Sequence, residues 1–157
     1  MSRFRLRLRS SDMTIKSMHH VGMTVTDLAA TVEFFEALGL ELEGKAHLEG
    51  AFVDGVIGLD GSRSEIAMLR TPDDRYRIEF SEFQTPDAVD GSSHAPINAL
   101  GLRHVAFVVD DLDDTLARLK PHGAEVVRNI ETYQGMLKTC YVRGPEGILV
   151  ELCEYFS

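Results

Sequence analysis

Two histidines and two glutamates recur in matching contexts, and these residue types bind divalent metal ions. His20 opens HVGMTVTDL and His104 opens HVAFVVDDL, while Glu79 lies in IEFSE and Glu151 in VELCE. A carboxylate within an apolar strand is costly to bury unless a cation or a donor pairs with it. Two imidazoles and two carboxylates suit Ni, Co, Zn, Mn or Fe. The repeated set therefore predicts one divalent metal ion at His20, Glu79, His104 and Glu151.

The strand-like runs after the two histidines place small residues beside them. Alternate residues of a strand share a face, so His20 lies on the same face as Gly22 and Thr24, and His104 lies with Ala106. A lone histidine in a strand is more often a hydrogen-bonded core residue than a ligand. Because the pattern occurs in both halves, we favour the alternative that the two histidines line a concave surface that binds a ligand.

Each histidine strand is followed by a segment with helical spacing of apolar residues and a glycine stop. In the first half these are Leu28, Val32, Phe35 and Leu38 before Gly39, and in the second Leu112, Leu116 and Leu119 before Gly123. Further strands are expected at residues 50–61, 64–72, 75–83, 137–147 and 148–155, separated by turn signals. Each half is therefore predicted to be a βαβββ module.

The chain is predicted to form one combined α+β domain. Residues 1–13 are a basic extension, 14–83 the first module, 84–101 a linker rich in turn-forming residues, and 102–157 the second module. One such module cannot bury both faces of its sheet, so we expect the two modules to share a core.

Composition excludes several classes of partner. The 157 residues are 44% hydrophobic, with a formal net charge of -9 and a pI near 5.1, so nucleic acid would be repelled. No apolar run reaches membrane-spanning length, and the four arginines of residues 1–13 do not form a secretory signal. Cys140 and Cys153 are expected to be free thiols in a cytoplasmic protein.

These motifs resemble the vicinal oxygen chelate superfamily, which includes glyoxalases, bleomycin resistance proteins and dioxygenases. The resemblance rests on HVxxxVxDL at both histidines, GLRHVAF before the second copy, and GPEGILVEL near the end. It implies two βαβββ modules that form a half-open, barrel-like sheet around one divalent metal. It also implies that the four repeated residues are the metal ligands.

The resemblance to glyoxalase I and methylmalonyl-CoA epimerase implies a metal-dependent lyase, isomerase or epimerase. In that chemistry a proton is removed beside a metal-chelated carbonyl, which gives an enediolate or enolate. Glu151 is the first choice for the mobile base, with Glu79 opposite it. The alternatives are an extradiol-type dioxygenase that uses His20, His104 and Glu151, and a non-catalytic protein that binds a metabolite or antibiotic.

The expected substrate is a small molecule with a carbonyl or thioester. Thr24 and Phe83 occupy positions that contact glutathione in glyoxalase I, which argues against classical lactoylglutathione lyase activity. The candidate substrate contacts are Thr24, Arg77, Tyr133 and Met136. Family members often form homodimers, and the resemblance leaves open whether the site lies within one chain or across two.

Overall fold

Two sheets and three α-helices make up the described part of the protein. In this computed structural model the described residues are 15–91 and 94–156, so the predicted extension at 1–13 lies outside them. The first half contains β1 (Val21–Thr24), α1 (Leu28–Leu38), β2 (Glu41–Glu49), α2 (Ala51–Ile57), β3 (Arg63–Arg70) and β4 (Arg77–Thr85). The second half contains β5 (His104–Val108), α3 (Leu112–Leu119), β6 (Glu125–Val126), β7 (Glu131–Tyr133), β8 (Leu137–Arg143) and β9 (Leu149–Tyr155).

The two sheets repeat one topology. The first has the strand order β1-β4-β3-β2, and the second has β5-β9-β8-β6 with β7 also paired to β8. In each sheet the first strand is parallel to the last, and the other pairs are antiparallel. The predicted α+β fold of two βαβββ modules is confirmed. The sheets do not close on each other, and β1 and β5 are both edge strands among the described residues.

Helix α1 begins and ends where local chemistry predicts. The side chain of Asp27 caps the first turn by accepting a hydrogen bond from Ala30 N at 2.9 Å. Gly39 ends the helix at φ 122°, a conformation that favours glycine, and its N–H binds the carbonyl of Phe35. Helix α3 has the same cap from Asp111. A 3-10 turn at Lys120–His122 then precedes the predicted stop at Gly123, whose φ is 85°.

The helices pack together and join the modules through one core. Phe35 of α1 lies 4.8 Å from Phe80 of its own sheet and 6.4 Å from Phe107 of the other sheet, between ring centroids. Phe34 is fully buried, and a Cβ on Gly144 would lie 2.9 Å from its ring. A side chain at Gly144 would therefore push the second module away from α1.

The carboxylate of Glu146, in the second module, forms hydrogen bonds with the start of α1 in the first. Glu146 accepts hydrogen bonds from Thr26 N, Thr26 Oγ1 and Asp27 N at 2.7 to 2.8 Å. Glu146 itself has a φ of 60°, unusual for a residue other than glycine. The local strain is offset by these charge-assisted hydrogen bonds, which span 120 residues of sequence.

The expected strand at 50–61 is wrong, because this segment contains helix α2. Its first residue follows Gly50, which has a φ of 100°. Asp54 then accepts hydrogen bonds from Gly61 N and from both N and Oγ of Ser62 at 2.6 to 2.9 Å. These bonds close a compact turn that an extended strand could not make.

Candidate metal centre

The first pair of predicted ligands meets at one edge of the first sheet. His20 directly precedes β1, and the parallel register places Gly22 opposite Glu79 of β4. His20 Nε2 lies 3.9 Å from Glu79 Oε1, and both side chains are partly exposed. His19 Nδ1 lies 2.7 Å from His20 Nδ1. The ring of His20 is therefore held through Nδ1 by His19, while its Nε2 faces Glu79.

The second pair has the same arrangement in the second sheet. His104 opens β5, and Ala106 lies opposite Glu151 of β9. His104 Nε2 lies 3.5 Å from Glu151 Oε2. Because the small residues Gly22 and Ala106 occupy matching positions, each pair has open space beside it.

Tyr141 of β8 supports the second pair, and sequence reasoning missed it. Its hydroxyl donates a hydrogen bond to Glu151 Oε2 at 3.1 Å, and its ring packs edge-on against His104 with centroids 5.2 Å apart. Burial, and then the hydrogen bond to Glu151, raise the pKa of Tyr141. The matching position in the first sheet is Met68, which lies opposite Glu79. The repeat therefore gave no signal for a tyrosine here.

The donor types fit a divalent ion, but one chain holds them as two separate pairs. Neighbouring donors about 2.1 Å from an ion lie roughly 3.0 to 3.4 Å apart, and the two nitrogen-to-oxygen distances of 3.9 and 3.5 Å are close to this spacing. Within residues 15–91 and 94–156, no group of three or more His, Cys, Asp or Glu side chains could hold a metal. Each pair therefore supplies half of the predicted ligand set.

Two predicted substrate contacts lie near the first pair. Thr24 is exposed and lies opposite Ser81, one step along the same face from Gly22 and Glu79. Arg77 lies in β4, but its guanidinium is engaged by Glu43 at 2.8 and 2.9 Å and by Asp74 at 2.7 Å.

The other two predicted contacts lie farther along the second sheet. Tyr133 pairs with Leu137, four residues before Tyr141 on the same strand, which is roughly 13 Å along β8. Tyr133 is 62% exposed and Met136 is 53% exposed. The structure therefore places both residues away from the Glu151 carboxylate, at the β7–β8 turn.

Glu82 and Glu154 are a second repeated pair of glutamates, and neither is fully exposed to solvent. Each is half-buried and accepts a hydrogen bond at 2.8 Å from the first amide of a helix, Leu28 N for Glu82 and Leu112 N for Glu154. A carboxylate at this position interacts favourably with the helix dipole. The repetition of these two residues reflects helix capping in both modules.

Two cavities adjoin the two His–Glu pairs. A cavity of about 690 Å³ follows the seam between β1 and β5, and its lining includes Thr24 and His104. A smaller cavity of about 170 Å³ is lined by His20, Arg77 and Phe107, among others. Both histidines therefore border open space between the modules.

None of the helices in the part of the chain that the structure describes is long and apolar enough to cross a membrane. Cys140 and Cys153 are free thiols, as expected. Burial raises the pKa of the Cys140 thiol to about 11, which keeps it protonated at neutral pH.

Comparisons with known proteins find the same fold and sequence pattern. Residues 17–152 match the family model of the Glyoxalase/Bleomycin resistance protein/Dioxygenase superfamily. A glyoxalase family protein from Bacillus cereus is 41% identical, with a TM-score of 0.90 over 95% of this chain and all of that chain. The uncharacterized protein YaeR of Escherichia coli is 29% identical over 89% of this chain and 97% of its own length.

A more distant structure shares the fold alone. A mutant of the fosfomycin resistance protein FosX of Listeria monocytogenes, complexed with Mn(II) and 1S,2S-dihydroxypropylphosphonic acid, is 17% identical. Its TM-score is 0.60 over 90% of this chain and 92% of that chain.

Proposed function

Because the chain belongs to the Glyoxalase/Bleomycin resistance protein/Dioxygenase superfamily, we propose that it is a metal-dependent lyase, isomerase or epimerase. The proposed reaction removes a proton beside a carbonyl of a small substrate. The observation that carries the proposal is the matched geometry of the His20–Glu79 and His104–Glu151 pairs. A merely duplicated fold would not require an imidazole and a carboxylate at the same point of each sheet.

The proposed metal site is completed by a second copy of the chain. Within one chain, packing of α1 against α3 and the Glu146 hydrogen bonds fix the modules with the two pairs apart. A homodimer would bring the His20–Glu79 pair of one copy to the His104–Glu151 pair of the other, and a twofold axis would make two such sites. Among the described residues β1 and β5 are edge strands with one unpaired side, and these sides offer the surfaces for this contact.

The residues of each pair have distinct proposed roles. His20 and His104 would be imidazole ligands, with His19 holding the ring of His20. Glu79 and Glu151 would be ligands that can also accept the substrate proton, from opposite sides of the reacting carbon. Tyr141 would hold Glu151 in position through its hydrogen bond. The bound ion would supply the positive charge that stabilises the negative charge left on the substrate.

The proposed metal is Ni, Co, Zn, Mn or Fe, since the donor set suits each of them. The presence of Mn(II) in FosX, which shares the fold, supports a divalent metal. We place the reaction in the cytoplasm, where a free buried thiol such as Cys140 is stable.

Metal analysis followed by hydrogen exchange tests the proposal. Protein purified without an affinity tag and reloaded with each metal should hold about one ion per chain, and Glu79→Gln should weaken binding. The loaded protein should then exchange an α-proton of thioester or hydroxyketone substrates with deuterated solvent, as measured by NMR. Metal binding without any exchange would favour a non-catalytic binding protein, and oxygen uptake with catechols would favour a dioxygenase.

A further inference from the structure

From Glu79 toward the carboxyl end of β4, the surface is built from uncharged side chains. Strand register places Gly22 and Met68 on either side of Glu79 on the same face, with Ser81 one step along β4. The next positions on this face are also uncharged: Thr24, Ala46, Ile66 and Phe83. Met68, Ile66 and Phe83 are half-buried and leave apolar area open to the site.

The two arginines on this face are neutralised by neighbouring carboxylates. Glu41 binds Arg70 at 2.8 and 3.1 Å, and Glu43 binds Arg77 through both carboxylate oxygens at 2.8 and 2.9 Å. Asp74 contacts both guanidinium groups, at 2.7 Å from Arg77 and 3.4 Å from Arg70. Three carboxylates surround two cations, so this network carries one net negative charge.

The arginines beside the second pair donate hydrogen bonds to backbone carbonyl groups. Arg143 donates to the carbonyl oxygens of Gly147 and Ala95, both at 2.8 Å. Arg103 donates from Nη2 to Ala95 O at 2.9 Å, while its buried Nε has no hydrogen-bond partner among the described residues. The face around Glu151 also carries the uncharged Ala106 and Tyr141 and two carboxylates, Glu125 opposite Arg143 and Glu131 opposite Thr139.

The charge balance at the metal adds to this effect. A divalent ion held by two carboxylates and two neutral imidazoles has no net charge, so it attracts a dianion weakly. Free guanidinium and ammonium groups are the side-chain donors that bind a dianionic group most strongly. In the described part of the chain, Arg70 and Arg77 already bind carboxylates, and Arg103 and Arg143 bind backbone carbonyl oxygens.

We infer that this site selects a largely apolar substrate that binds through two neighbouring oxygens and carries no dianionic group, so that it rejects phosphonates and phosphates. The inference rests on the proposed metal site. Arg77 lies at the wall of this site, and its hydrogen bonds to Glu43 prevent it from binding an anion there.

Ligand titrations of the cobalt-loaded, full-length protein test this selectivity. Three probes are titrated at pH 8 and followed by the visible absorption of cobalt: benzohydroxamate, acetohydroxamate and methylphosphonate. Benzohydroxamate should bind about tenfold more tightly than acetohydroxamate because its ring covers the apolar face. Methylphosphonate should bind more weakly than either. Glu43→Gln should strengthen methylphosphonate binding about fivefold, because Arg77 loses its two-oxygen carboxylate partner and keeps only the contact with Asp74.

Glu41→Gln is the matched control: it removes the same charge from Arg70, which lies on β3 rather than on the strand of Glu79, so methylphosphonate binding should stay within twofold of wild type. Wild-type protein that binds methylphosphonate as tightly as acetohydroxamate would overturn the inference alone, as would an unchanged affinity in Glu43→Gln. Equal affinity for the two hydroxamates would also overturn it. Failure of wild-type protein to bind cobalt would instead refute the proposed function, and the inference with it.

Discussion

Replacing Tyr141 with phenylalanine removes one hydroxyl and tests whether the tyrosine positions Glu151. The ring that packs against His104 is retained, so the change should leave the fold intact. The hydrogen bond from Tyr141 to Glu151 Oε2 disappears. Glu151 then loses the donor that holds its carboxylate toward His104, and the proposed metal site becomes less ordered.

The magnitude follows from the geometry. Loss of an outer hydrogen bond to a metal ligand typically weakens metal binding about 10- to 100-fold. The Tyr141–Glu151 distance of 3.1 Å is longer than the roughly 2.5 to 2.7 Å of a strong O–H···O⁻ bond, which favours the lower end. We expect Tyr141→Phe to bind cobalt or nickel about tenfold more weakly, a change of about 1.4 kcal/mol.

Competition with a chromogenic chelator measures this change directly. Tyr155→Phe is the control, because Tyr155 lies on the same strand as Glu151 and is 63% exposed. The control should bind metal like wild type, and urea unfolding of the metal-free proteins should show that Tyr141→Phe keeps its stability. Metal affinity of Tyr141→Phe within twofold of wild type would refute the positioning role.

Three further predictions concern hydrogen bonds and ion pairs outside the proposed metal site. Glu146→Ala should lower the free energy of unfolding by about 1 to 2 kcal/mol in urea titration, because two helix-entry amides lose their acceptor; an unchanged midpoint would contradict this. Glu82→Ala and Glu154→Ala should each cost about 1 kcal/mol as lost helix caps, and a greater than tenfold loss of metal affinity in either would show that they belong to the metal site instead. Glu65 raises the pKa of His47 above 6.5, so the stabilising effect of this pair is fully present below about pH 6.5 and is lost as pH rises through the raised pKa. An NMR titration that places this pKa at or below 6.5 would contradict the assignment.

The repeated features of the fold were accessible from the sequence. Both modules, both glycine helix stops and both His–Glu pairs follow from local periodicity and strand alternation, which short stretches encode. Helix α2 was missed because its apolar residues, such as Phe52 and Val56, are exposed rather than packed on a core. Its conformation depends on the side chain of Asp54, which periodicity does not reveal.

Features that occur once, or that join distant segments of the chain, could not be predicted from the sequence. Tyr141 has a methionine as its counterpart, so comparison of the two halves gives no signal for it. The contact between Glu146 and Thr26 joins residues 120 apart, and the strand register that aligns Tyr141 with Glu151 exists only in the folded sheet. Similarly, the pairing of Arg77 with Glu43 depends on a bulge between Leu42 and Gly44.

Metal binding by mixed dimers tests the central claim most directly. One variant lacks the first pair (His20→Ala, Glu79→Gln), and the other lacks the second pair (His104→Ala, Glu151→Gln). Each variant alone has only incomplete sites. If a site is shared between copies, a dimer of one variant with the other contains one complete site and one that lacks every ligand.

The two variants are mixed in equal amounts, allowed to exchange subunits, and titrated with cobalt against each variant alone and wild type. Random exchange should restore about a quarter of the wild-type number of tight sites. Restoration at this level would confirm that two copies build each metal centre. No restoration, despite subunit exchange shown by native mass spectrometry, would contradict a shared site.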